Sequence, residues 1–104
     1  MAGGPVGPFR VINLKAVSLQ LRVLHDQAKA QGTDFFFRQS LVEIHRRLAT
    51  DPLEFGEPLY NLQELNLQVR IGLHPPLSVR FAVDKERKLV YLFSVISLAN
   101  MGPA

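Results

Sequence analysis

Arg70 and Arg80 lie in two consecutive segments in which apolar and polar residues alternate. Leu65, Leu67, Val69 and Ile71 are interleaved with Asn66, Gln68 and Arg70, and Leu77, Val79, Phe81 and Val83 with Ser78, Arg80 and Ala82. Alternation at period two gives a strand one buried and one open face. The pattern therefore assigns both arginines to the open face, with Asn66, Gln68 and Ser78, and antiparallel neighbours would bring them close together. Two guanidinium groups placed that way could grip a phosphate. The same residues also fit ordinary exposed strand arginines that pair with Glu64 or Glu86, or with nothing. Arg46 and Arg47, beside Arg38, form a supporting patch for polyanion contact, or simply a solvated helix face.

Groups able to carry a proton are scattered. Tyr60 lies in a segment rich in helix breakers, and His74 precedes Pro75 and Pro76 in a turn. His25 and His45 fall on helical stretches as surface or boundary residues. Tyr91 falls in the alternation of Leu89, Phe93 and Val95 and is expected in the core. There is no H-x-x-x-H pair and no carboxylate cluster with metal-ligand spacing; Asp51, Glu54 and Glu57 read as solvating their loop. GGPVGP lacks the lysine and the strand-to-helix context of a phosphate loop. Neither a metal nor a cofactor is expected.

The elements that must position these residues follow from hydrophobic period. Phe9 to Lys15 is a short strand candidate. From Ala16 to Gln31, Val17, Leu21, Leu24 and Ala28 recur at helical spacing and Gly32 supplies the stop, although Leu19, Leu21 and Val23 also alternate in strand fashion. The second half, HDQAKAQ, is helix-friendly, and the whole stretch is expected as a helix. Thr33 or Asp34 can cap a second helix with the stripe Phe37, Leu41, Ile44 and Leu48, which ends at Thr50-Asp51-Pro52. Leu53 to Leu62 is a loop around Gly56 and Pro58. Three strands follow, with turns at His74-Pro75-Pro76 and at Asp84 to Lys88. The last strand, Leu89 to Ser97, is apolar at nearly every position, as for a central strand or one covered on both faces. The two helical stripes can be buried only on the apolar face of the sheet. The expected architecture is an α+β two-layer sandwich, with an N-terminal strand and a helical hairpin packed on an antiparallel β-meander. One domain spans residues 9–98, between a flexible lead-in over residues 1–8 and a tail over residues 99–104.

Composition bounds the rest. In 104 residues, 47% are hydrophobic and 20% charged, which is ordinary for a small globular domain with one core. The formal charge of +3 tilts mildly toward an acidic partner. The absence of cysteine excludes a disulfide scaffold and fits a reducing compartment. The N-terminal sequence has no signal-peptide pattern, and the apolar run from Leu89 to Ile96 is far short of the roughly 20 residues of a spanning helix. A cytoplasmic protein without membrane contact is expected.

The helical hairpin, then Asp51-Pro52, Gly56, Pro58-Leu59 and Leu62, an arginine-bearing strand, the V.F.VD strand (Val79, Phe81, Val83, Asp84) and a closing apolar strand together resemble the RelE/ParE superfamily of bacterial toxins. The resemblance covers nearly all of residues 9–97 and rests on the order and spacing of the pieces. It implies the toxin half of a type II toxin–antitoxin pair, with an antitoxin as partner. Two targets are implied: messenger RNA on the ribosome, cut by RelE-like members, and DNA gyrase, inhibited by ParE-like members. RNA cleavage through a 2′-hydroxyl needs a base, an acid and cations on the phosphate. The candidates are Arg70, Arg80, Tyr60 and His74. The chain departs from nuclease relatives at its end, where SLANMGPA holds no basic, tyrosine or histidine residue.

Two apolar features point to partner binding instead. Val90, Leu92 and Ile96 would share one face of the last strand, opposite Tyr91 and Phe93. One helical face cannot bury Phe35, Phe36 and Phe37 together. Phe35, Phe36, Val90, Leu92 and Ile96 are the expected partner contacts, for an antitoxin or a second copy in a homodimer. The alternative to a toxin is thus a non-catalytic interaction or dimerisation domain on the same scaffold.

Overall fold

The computed structural model describes residues 7–98. Apart from Gly7 and Pro8, the expected lead-in and tail lie outside the described residues. Strand β1 (Arg10–Asn13) leads into helix α1 (Lys15–Gln31), and helix α2 (Asp34–Thr50) follows a turn at Gly32 and Thr33. Gly32 takes the left-handed conformation, φ 74°, that closes a helix at little steric cost. Thr33 precedes α2 without a side-chain cap; its hydroxyl donates instead to Ala28 O, 3.4 Å away on α1. The ambiguous stretch Val17 to Val23 is helical, because Val17 and the half-buried Leu21 and Leu24 bury along one stripe against the sheet.

Four further strands complete the sheet: β2 (Glu57–Leu62), β3 (Leu67–His74), β4 (Leu77–Asp84) and β5 (Leu89–Ser97), with a 3-10 turn at Gln63–Leu65. Their order is β1-β5-β4-β3-β2, with β1 parallel to β5 and every other pair antiparallel. The fold is an α+β two-layer sandwich. Val17 and Ala28 of α1 and Phe37, Ile44 and Leu48 of α2 pack onto Val79, Phe81, Val83, Val90, Leu92 and Val95.

The expected loop from Leu53 to Leu62 is correct only in its first half; Glu57–Leu62 is a fourth strand of the meander. Pro58 is tolerated because β2 is an edge, where a missing donor disrupts no second ladder. The entry into this strand depends on Gly56, at φ 73°, where an added Cβ would lie 2.0 Å from Ile71 O.

Strand β3 presents its faces the opposite way from the expected one. Gln68, Arg70 and Gly72 pair with Val83, Phe81 and Val79, so they lie on the helix side, while Leu67, Val69 and Ile71 face away from it. The physical reason is Phe55. Its ring enters the core from the loop before β2 and stacks on Phe81, 5.8 Å between centroids. Gly72 makes the room, since a Cβ there would meet the Phe55 ring at 2.6 Å. Over β3 the loop therefore supplies the apolar cover that the alternating residues of the strand were expected to need.

Candidate interaction surface

Inverting β3 turns Arg70 away from the open face. Arg70 is buried on the helix side. Its Nε donates to Phe55 O at 3.2 Å, one terminal nitrogen to Gly56 O at 2.9 Å, and the other to Gln68 Oε1 at 2.7 Å. Among the described residues no carboxylate forms an ion pair with it, so carbonyl dipoles solvate the charge. Arg80, opposite Ile71 and Ser94, is exposed on the other side of the sheet. The two arginines therefore do not share a face, and the phosphate grip expected of them is not formed.

The supporting basic patch is also engaged. Arg46 bonds Glu43 through Nε at 2.9 Å and through a second, shorter contact. This bond holds the Glu43 carboxyl below its usual range against slight desolvation, helped by the charges of Arg46, His74 and Arg47; it also raises the Arg46 guanidinium. Arg47 bonds Asp51 at 3.1 Å and lies 4.9 Å from the centroid of the Phe55 ring, clasping the loop that carries it. Arg38 pairs with Asp34 at 3.5 Å.

The proton-carrying candidates are dispersed. His74, at the end of β3 on the helix side, lines a cleft of about 600 Å³ between the hairpin and the Pro75-Pro76 turn. Its Nδ1 is buried with no hydrogen-bond partner, and nearby Ser40 donates to Pro75 O at 3.1 Å. Tyr60 lies on β2 on the open side, so no acid–base pair forms with His74. His25 stacks on Phe37 at 5.5 Å, and His45 bonds Leu41 O at 3.0 Å and Asn13 at 3.4 Å, both structural roles. Among the described residues no cluster of three or more His, Cys, Asp or Glu could hold a metal ion, and no helix is long and apolar enough to cross a membrane.

The expected partner contacts divide. Phe35 and Phe36 are exposed on the first turn of α2, their rings edge to face at 5.6 Å. Val90 and Leu92 are fully buried beneath the helices and cannot touch a partner. Ile96 does not share their face. Arg80 pairs with Ser94 but Phe81 with Leu92, so Phe93 is an extra residue that shifts the alternation. After this bulge Val95 turns to the core and Ile96 to the open side, while the N–H of Val95 donates to Gln20 Oε1 at 3.0 Å. Tyr91, expected in the core, stands opposite Ala82 on the open side.

What these shifts create is an apolar sheet face that neither α1 nor α2 covers. Across the strands, Tyr60, Val69, Ala82, Tyr91 and Ile12 form one row; Glu57, Ile71, Arg80 and Ser94 form the next. A groove of about 580 Å³ runs over Val69 and Ala82. It is lined by Tyr60, Leu62 and Leu65 from β2 and its 3-10 turn and by Tyr91, Phe93 and Leu14, and the Asp84–Arg87 ion pair also borders it. Leu65 is 65% exposed and Tyr60 55%. The sequence carried a sign of this surface in the apolar residues at both phases of β5 and in Leu59, Tyr60 and Leu62 of the supposed loop. No known protein family, curated protein or solved structure significantly matches the chain.

Proposed function

We propose that this chain is a protein-binding module on a RelE/ParE-like scaffold, and that its partner occupies the open face of the sheet. The observation that carries the reading is the groove lined by Tyr60, Leu62 and Leu65 and by Tyr91 and Phe93. A contiguous apolar surface of this kind on a small domain is costly to leave in water and marks a contact site. The order of strand, helical hairpin and meander supports the scaffold reading, and the lack of cysteine agrees with a cytoplasmic setting.

One observation favours a second reading, a growth-inhibiting toxin acting on RNA or gyrase and restrained by an antitoxin. Arg80 is exposed on the open face and makes no ion pair among the described residues. It lacks the second arginine and the nearby acid or base that RNA cleavage would require.

Site-specific photo-crosslinking in living cells tests the interaction reading. A photoreactive residue at Leu65 should give a discrete protein adduct, and one at Phe36 should not. Adducts at Phe36 alone, or none at Leu65 in protein that is folded and abundant, would overturn it. Growth arrest on tightly induced expression, lost in Arg80→Ala, would move the conclusion to the toxin.

A further inference from the structure

We infer that the occupant of the open face is a second copy of this chain, the two sheets packing face to face about a two-fold axis that runs along β3. The inference rests on the reading of that face as a binding surface and names its partner.

The geometry of the rows points to this arrangement. Strands β2 and β4 flank β3, one on each side. A two-fold axis above β3 exchanges them, setting β2 of one copy over β4 of the other, with residues of the same row opposed. Tyr60 then meets Ala82, a large side chain over a small one, because both stand in the row that crosses Val69. Glu57 meets Arg80, because both stand in the row that crosses Ile71. Neither charge has an ion-pair partner within its own chain among the described residues.

Shape agrees with charge. Tyr60, Leu62 and Leu65 are all exposed beside the groove over Ala82. Under this symmetry the exposed side chains of Tyr60, Leu62 and Leu65 of each copy lie against the groove of the other, and the half-buried Ile71 meets its own counterpart on the axis. A single face thus carries both halves of the contact, exposed side chains and groove, acid and base, as an isologous interface requires. Burying Arg80 opposite Glu57 also removes the penalty of covering an unpaired cation.

Sedimentation equilibrium on the full chain tests this. Wild type should be dimeric, and Arg80→Glu or Glu57→Arg, each placing like charges together twice, should weaken the dimer by about 100-fold or more. The double variant Glu57→Arg/Arg80→Glu should restore it. The cysteine-free chain allows a second test that does not depend on these variants. In a mixture of Tyr60→Cys chains with Ala82→Cys chains, a thiol crosslinker spanning about 10 Å, the separation of face-to-face sheets, should join one variant to the other in a covalent dimer, since neither chain carries a second cysteine to react within itself. A wild type that stays monomeric, with Leu65 crosslinking to a different protein, would overturn the second copy and leave the binding face standing. A dimer that ignores both charge reversals, gives no crosslink between Tyr60→Cys and Ala82→Cys chains and dissociates in Phe36→Asp would overturn both.

Discussion

The guanidinium of Arg70 donates to Phe55 O, Gly56 O and Gln68 Oε1 from a site that is 6% exposed. Truncating it leaves two loop carbonyls without their donor and opens a void beside Phe55. Arg70→Ala is therefore expected to lose about 3 kcal/mol of stability, the order measured for charged hydrogen bonds whose partners stay buried. Arg80→Ala, at an exposed site with no ion pair among the described residues, should change it by no more than about 0.5 kcal/mol. Urea unfolding of the two single variants under conditions that keep the chain monomeric checks both values. Equal losses would sink the assignment of the two arginines to opposite faces. A consequence for functional work is that any effect of an Arg70 variant reads folding first, whereas Arg80 reports on the open surface.

At the scale of the element, the segment from Asp51 to Gly56 extends the helical layer over β3. Arg47 bonds Asp51 and Glu54 O and covers the Phe55 ring, and Arg70 donates to the carbonyls of Phe55 and Gly56. Phe55 then occupies the space above Gly72. Gly72→Ala is expected to destabilise by about 2 kcal/mol, because the added methyl overlaps a ring confined by Phe81. Adding Phe55→Leu should recover part of that loss, since a smaller side chain relieves the overlap. Thermal denaturation of the single and double variants measures this coupling. Strictly additive losses would mean that Phe55 and Gly72 do not share the space. The same packing accounts for β2, whose pairing with β3 starts where Gly56 lets the chain pass close to Ile71.

At the scale of the whole molecule, the helices cover one face of a five-stranded sheet and leave the other open. Sheets with one open face are ordinary when that face is polar. Here the rows across the open face contain Tyr60, Val69, Tyr91 and Ile71, with Arg80 as an exposed cation among them. If a second copy covers this face, stability becomes linked to protein concentration. The midpoint of thermal unfolding should then rise with concentration for wild type and stay constant for Arg80→Glu, a calorimetric form of the same test.

The helices, their stripes and the turn at Gly32 were determined by local sequence. Val17, Leu21, Leu24 and Ala28, and then Phe37, Ile44 and Leu48, recur at a period that one face must bury. The strands β3, β4 and β5 were equally legible from alternation and turn residues. The layered α+β architecture followed, because the stripes had no other surface to cover. Which face of β3 is buried was decided only by tertiary packing. Alternation separates two faces without saying which one meets the helices, and the deciding contact, Phe55 over Gly72, comes from a segment seventeen residues away in sequence. The bulge at Phe93 likewise depends on register with β4, a long-range pairing that no local period encodes. Those two choices separated Arg70 from Arg80, buried Val90 and Leu92, and assembled Tyr60, Leu65 and Tyr91 into one surface.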